Sequence, residues 1–202
     1  MKTALAEIRA TIAAHDGPGR VLVAIAGPPG AGKSTLTEAL AAQIDASAVV
    51  PMDGFHLDNA VLQARGLLAR KGAPETFDVA GFTALLARLK AEPEVVIPVF
   101  DRSRDLAIAG ARVIGPAQRV LLVEGNYLLL DETPWNRLFR FWDLTIGIEV
   151  PLATLEARLT QRWRAHGLPN DAAIARAMGN DIPNARRVIA RSAPPDMRIR
   201  QG

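Results

Sequence analysis

Eight consecutive residues carry the densest chemistry in the chain: Gly27-Pro28-Pro29-Gly30-Ala31-Gly32-Lys33-Ser34, with Thr35 next. Glycines let successive backbone N–H groups point into one concavity, which suits the oxygens of a phosphate chain. A helix that starts here adds the positive end of its dipole. In the spacing G-x-x-x-x-G-K-S the lysine reaches the β- and γ-phosphates, and the serine hydroxyl can ligate Mg²⁺. The bland alternative is a glycine-rich turn with no ligand. The pattern is complete, however, and lies between an apolar run and a helical one. A bound nucleoside triphosphate held by residues 27–35 is therefore expected.

Two carboxylates fall where phosphoryl transfer needs them. Asp53, in Met52-Asp53-Gly54-Phe55-His56, lies twenty residues beyond Lys33. A helix and a return strand between them bring it to the same end of a parallel sheet. There it can accept the proton of an attacking hydroxyl; its alternative is an N-cap for the short helix that follows. Glu124 ends the apolar run Val120 to Val123 and is placed for a metal shell, with a structural ion pair as the alternative. Arg158 and Arg162 stand four apart beside the stripe Leu152, Leu155, Leu159 and Trp163, where they can close over a transferring phosphate. A solvated face near Glu156 is the commoner fate of such arginines, so at least one of the two is expected to serve a lid. His56 and Arg102 are candidates for lining an acceptor pocket. Tyr127 reads as a core residue with its hydroxyl bonded.

The elements that position these residues are legible from periodicity. Thr3 to Ala14 reads as a helix ending at Asp16-Gly17-Pro18-Gly19, a cluster of turn formers. Val21 to Ala26, Val120 to Val123 and Leu144 to Val150 are apolar runs of the kind that strands buried on both faces show. Ala48-Val49-Val50, stopped by Pro51, reads as a short or edge strand. Leu36, Leu40 and Ile44 repeat every four residues after the phosphate loop. Further helices are predicted near 79–91, 133–140 and 151–166, the last with Pro151 at its first position. Strands alternating with helices give right-handed βαβ units. The expected fold is α/β, a three-layer α/β/α P-loop NTPase fold. It has a mostly parallel, doubly wound sheet and a helical lid over about residues 155–185, with 1–202 as a single domain.

Composition removes several classes. Of the 202 residues, 49% are apolar and 22% charged, which suits a globular chain. The absence of cysteine excludes a disulfide scaffold, thiolate metal sites and a cysteine nucleophile. Glu7 and Arg9 interrupt any leader-like apolar stretch, and Val120 to Leu130 carries Glu124 and is too short to span a bilayer. A cytoplasmic location without membrane insertion is expected. The net charge of +3 hides an asymmetry: residues 1–136 hold 13 basic and 15 acidic side chains, residues 137–202 hold 11 and 6. A basic carboxy-terminal third suits nucleic acid or closure over phosphates. No row of stacking aromatics accompanies it, and no nucleic-acid partner is expected. None of the four lysines (Lys2, Lys33, Lys71, Lys90) lies in an Asn-Lys-x-Asp guanine element.

From about Arg20 to Val188 the chain resembles the phosphoribulokinase/uridine kinase family of P-loop kinases. The resemblance rests on Gly27 to Ser34, Asp53-Gly54-Phe55-His56, Pro98-Val99-Phe100-Asp101, Val123-Glu124-Gly125 and the arginine-bearing lid. Within that family, Met52 to His56, Arg70-Lys71-Gly72-Ala73-Pro74, Thr76-Phe77-Asp78 and Glu124-Gly125-Asn126-Tyr127 are most similar to bacterial proteins labelled fructose-transport-system or nucleoside-type kinases. The resemblance implies ATP as donor, Mg²⁺, Asp53 as base and Glu124 as a metal-shell carboxylate. Joined to the residues above, it gives the expected site: Lys33, Asp53, Arg158 and Arg162 in catalysis, and Ser34 and Glu124 at the metal. Asp53, His56, Asp101, Arg102, Asn126 and Tyr127 are expected around the acceptor.

Two departures bear on that acceptor. Uridine kinases usually carry Asp-Ser-Phe-Tyr where this chain has Asp53 to His56, and Tyr127 is its only tyrosine. Pantothenate kinase shares the Asp-Gly-Phe element, but Asp101-Arg102 stands where its Ser-His would follow. The expected activity is transfer of the γ-phosphoryl of ATP to a hydroxyl of a small metabolite, a sugar first. A nucleoside or pantothenate is the alternative acceptor, and an ATP-sensing subunit of a transport system is the alternative class. A homodimer and a functional link to a sugar transporter complete the partner expectations.

Overall fold

The computed structural model describes residues 2–201. In chain order the helices and strands are α1 (Lys2–Ala13), β1 (Val21–Ala26), α2 (Lys33–Ala41), β2 (Ser47–Pro51), α3 (Asn59–Ala64), α4 (Val79–Ala91), β3 (Val95–Asp101), β4 (Leu106–Ile114), β5 (Val120–Gly125), β6 (Leu144–Glu149), α5 (Leu152–Ala165), α6 (Asn170–Arg176), α7 (Ile182–Arg191) and β7 (Met197–Arg200). Tight 3₁₀ turns cover Met52–Phe55 and Trp135–Phe141, and a π-helical turn, Ala177–Asp181, joins α6 to α7.

Five parallel strands form one sheet in the order β2-β5-β1-β6-β7. β1 lies at its centre and is wholly buried, which is why its sequence shows no polar alternation. Its side chains divide by parity. Leu22 and Ala24 face a cluster with Val123 and the α4 residues Phe82, Leu86 and Leu89. Val23 and Ile25 face a second cluster with Ile8 of α1, Leu36 and Leu40 of α2, and Leu155 and Leu159 of α5. Each such fully buried aliphatic side chain contributes roughly 2 kcal/mol. The three layers and the mostly parallel sheet agree with the sequence reading.

Details differ for physical reasons. Pro51 does not stop β2 but is its last paired residue, opposite Glu124, and β2 is an edge strand where a missing N–H costs little. α2 ends at Ala41, so Ile44 packs against the second cluster from beyond the helix. Pro151 caps α5 with ψ 140 rather than occupying its first turn. The segment near 133–140 is a 3₁₀ turn over Trp135–Phe141. The antiparallel hairpin β3–β4, and β7, have no counterpart in the sequence reading. The lid region resolves into α5, α6, the π turn and α7, tied by the Trp163 indole donating to the Asp181 carboxylate at 2.5 Å and by Arg176 over the Trp163 ring. Among the described residues no helix is long and apolar enough to cross a membrane.

Candidate active site

The phosphate loop leaves the end of β1 and turns into α2. Gly30 and Gly32 take φ values of 79 and 85, a left-handed backbone that only glycine adopts cheaply. Gly32 is the N-cap of α2 and offers no side-chain acceptor, so the first N–H groups of the helix remain for a ligand. Lys33 is buried and folds back along the loop. Its ammonium donates to the carbonyls of Gly27 (2.9 Å) and Pro28 (3.1 Å) and to the amide oxygen of Asn126 (2.5 Å). Burial lowers its pKa to about 8, against the opposing pull of Glu124 and Asp53.

Ser34 and Glu124 meet from different elements. The register of β1 and β5 sets Glu124 beside Ile25, one residue short of the loop, and the Ser34 hydroxyl donates to its carboxylate at 3.4 Å. Burial raises the Glu124 pKa, and the Lys33 ammonium opposes that rise. Among the described residues no group of three or more His, Asp or Glu forms a metal cage. A hydroxyl and one carboxylate instead fit a cation that keeps waters and takes phosphate oxygens as ligands, as Mg²⁺ does.

Asp53 sits in the 3₁₀ turn that follows edge strand β2. It is not a helix cap: Pro51 precedes the turn, and Asp58 caps α3 by accepting from the Ala60 N–H. Its carboxylate instead receives the Arg102 guanidinium at 3.0 Å from the β3–β4 turn. Gly54 makes this contact feasible, because a Cβ there would lie 2.7 Å from the Pro98 carbonyl oxygen of β3.

A cleft of about 440 Å³ joins the loop residues Pro29, Gly30, Gly32, Lys33, Ser34 and Thr35 to Asp53, Arg102, Glu124, Asn126, Arg158 and Arg162. Arg158 donates to the Gly30 carbonyl at 3.3 Å. Arg162 is half-buried, and its desolvation lowers its pKa without discharging a guanidinium. A second cleft of about 330 Å³ shares Ser34, Asp53, Arg102 and Glu124, and extends between β2 and the hairpin to Glu38, Val49, Phe100 and Arg112. A larger cavity of about 730 Å³ lies over β6 and β7 and touches only the start of the loop, with none of the acid–base residues.

The remaining acceptor candidates lie elsewhere or serve the protein itself. His56 packs between Phe77 (4.1 Å between ring centres) and Phe100 (4.4 Å), with Nδ1 at 2.8 Å from the Asp53 carbonyl, and burial lowers its pKa. The Asp101 carboxylate accepts from the N–H groups of Ser103 and Arg104, the Ser103 hydroxyl and the Arg104 guanidinium. Those bonds hold its pKa well below the usual range. Tyr127 has no exposed surface; its hydroxyl donates to the Gly72 carbonyl at 2.5 Å, and burial raises its pKa. Ala31 is fully buried beneath the loop. Glu38 and Arg112, which border the second cleft, escaped the sequence reading. Glu38 lies beyond the motif, and Arg112 is visible only once β3 and β4 are paired, opposite Ile97.

No family model matches the chain. It is 42% identical over 180 residues to protein YggC of Escherichia coli strain K12, covering 86% of this chain and 74% of that one. It is 33% identical over 199 residues to a Schizosaccharomyces pombe protein provisionally named uridine kinase C227.14, covering 90% and 83%. Among solved structures, a Silicibacter sp. TM1040 protein provisionally named a fructose transport system kinase is 53% identical. It superposes with a TM-score of 0.91, over 96% of this chain and 98% of that one. Kinases of this kind use ATP and generally a divalent metal. With the phosphate loop, the strand-end carboxylate and these relatives taken together, the chain belongs to the phosphoribulokinase/uridine kinase family of P-loop kinases, which phosphorylate hydroxyl groups of small molecules.

Proposed function

We propose that this chain transfers the γ-phosphoryl group of ATP, with Mg²⁺, to a hydroxyl of a small sugar-type metabolite. The observation that carries the reading is the meeting of Lys33, Ser34, Glu124 and Asp53 in one cleft, with Asp53 at the border of the second. Loop amides and Lys33 bind the triphosphate. Ser34 and Glu124 hold the cation, which when bound neutralises charge on the phosphate oxygens. Asp53 accepts the proton as the acceptor oxygen bonds to the γ-phosphorus and the bond to the β-phosphate oxygen breaks, releasing ADP. Arg102, Arg158 and Arg162 surround the charge that moves, with α5 and α6 as the lid.

Two features favour a polyhydroxyl acceptor over a base. His56, Phe77, Tyr127 and Trp135 pack against one another rather than walling the second cleft, which leaves Phe100, backed by His56 and Lys71, as its aromatic lining. The polar groups there are Ser34, Glu38, Asp53, Arg102, Arg112 and Glu124, and of these Glu38 and Arg112 lie away from the phosphate loop and suit hydroxyls. The name of the Silicibacter protein, which places it with a fructose transport system, is consistent with a sugar-type acceptor. The name of the fission-yeast relative favours a nucleoside as the rival acceptor.

The test is ADP release from Mg·ATP across sugars, nucleosides and pantothenate, with Asp53→Asn alongside. A sugar-type acceptor should stimulate release, and Asp53→Asn should lower kcat by about 10²- to 10⁴-fold. Stimulation by a nucleoside alone would replace the acceptor class and leave the kinase standing. Tight ATP binding with no stimulated turnover would favour the ATP-sensing role.

A further inference from the structure

Lys71 has no part in the chemistry described so far, yet it is nearly buried, with 9% of its side chain exposed. Its ammonium has three acceptors: the Asn59 amide oxygen at 2.7 Å, the Asp105 carbonyl at 2.5 Å and the Asp105 carboxylate at 2.9 Å. All three of its N–H groups are therefore engaged. Asp105 ends the β3–β4 turn in a left-handed conformation, with φ 53, three residues after Arg102. The same turn is held from inside by Asp101. Arg102 is 62% exposed, so the packing of its own side chain does not hold it on Asp53; the backbone of the turn does.

The backbone of Lys71 faces the other way. Its carbonyl accepts from the Asn180 amide at 2.9 Å, and Asn180 is 4% exposed in the π turn of the lid. The wider π geometry is what breaks the helical register between α6 and α7 at this point. The next residue in the turn, Asp181, accepts from Trp163, the neighbour of Arg162 on α5. One residue thus bonds both the turn that carries Arg102 and the lid that carries Arg162, and both arginines border the same cleft.

We propose that Lys71 is a positioning residue that ties the acceptor-side hairpin to the lid, so that nucleotide bound under the lid also orders the turn holding Arg102 on Asp53. The inference rests on the kinase reading above. It is tested without an acceptor, by hydrogen exchange of the full chain with and without Mg·AMPPNP. In the unsubstituted protein the nucleotide should slow exchange by about tenfold or more in two places, the lid over 155–185 and the turn over 101–106. In Lys71→Met the lid should still slow while the turn does not. Lys71→Arg, which keeps the donors, should restore the turn. Asn180→Ala leaves the hairpin bonds of Lys71 in place and should also uncouple the turn, which covers the case of a poorly folded Lys71→Met. Equal slowing of the turn in Lys71→Met and Asn180→Ala overturns the proposal, as does a turn that the nucleotide never slows. A chain on which Mg·AMPPNP slows nothing overturns the kinase reading itself.

Discussion

Lys33 illustrates how a single residue trades stability for chemistry. An ammonium buried deeply enough to bring its pKa to about 8, with the attraction of Glu124 and Asp53 already counted, costs the ligand-free protein roughly 3 kcal/mol at neutral pH. Between about pH 8 and 10.5 the unfolded chain binds the proton that the folded chain has lost, so this contribution makes stability rise with pH across that window. Lys33→Met should therefore melt no lower than the unsubstituted protein at pH 7 while losing turnover, a pairing checked by calorimetry and ADP release. Nucleotide binding runs the opposite way. In EDTA, where no cation contributes, ADP affinity should fall by up to about tenfold per pH unit above pH 8 as the ammonium discharges. Proton uptake on binding, read by titration calorimetry in two buffers, checks it.

At the scale of elements, the site depends on a junction between a 3₁₀ turn and a hairpin that is no part of the main sheet. Gly54→Ala would drive a Cβ into the Pro98 carbonyl, moving the turn that carries Asp53 away from β3. The expected cost is about 1–3 kcal/mol, with a fall in kcat larger than the fall in nucleotide affinity. Denaturant unfolding and steady-state kinetics separate the two. The same junction shows where sequence reading succeeds and fails. β1, β5 and β6 lie within the sheet, so their apolar runs announced them, and the phosphate loop followed from its glycines. β3 and β4 form a two-stranded ribbon with Val96 and Val113 exposed, Pro98 in one strand and Gly110 in the other, so neither shows a clean alternation. Without that hairpin Arg102 reads only as a candidate for the acceptor pocket, and its pairing with Asp53 does not show. The role of Lys71 is invisible in the sequence, because its three acceptors come from two separate segments, at Asn59 and Asp105. Tyr127 shows the two kinds of reading diverging: as a residue it reads as a core tyrosine with its hydroxyl bonded, as it is found, whereas the family resemblance puts it at the acceptor.

Across the whole molecule, the basic excess of the carboxy-terminal third is distributed rather than gathered into a stripe. Arg158 and Arg162 border the phosphate cleft; Arg186 pairs with Glu156, Arg187 with Glu75 and Glu132, and Arg198 and Arg200 with Glu149. Duplex and single-stranded DNA should accordingly bind no better than the weak end of non-specific association, a Kd of about 10⁻⁴ M at physiological salt. Fluorescence anisotropy measures it.

The order β2-β5-β1-β6-β7 also has a consequence in time. The central strand precedes the rest of its sheet along the chain, yet its two neighbours begin at residues 120 and 144. A growing chain therefore carries an apolar strand with both edges open until residue 120 is reached, and the phosphate loop it supports takes shape only after that. Contacts this distant in sequence make folding slow and leave the nascent chain prone to association. A nascent chain of this topology is the kind that chaperones engage, and an arrest of translation before residue 120 would release a fragment whose most hydrophobic strand has no partner.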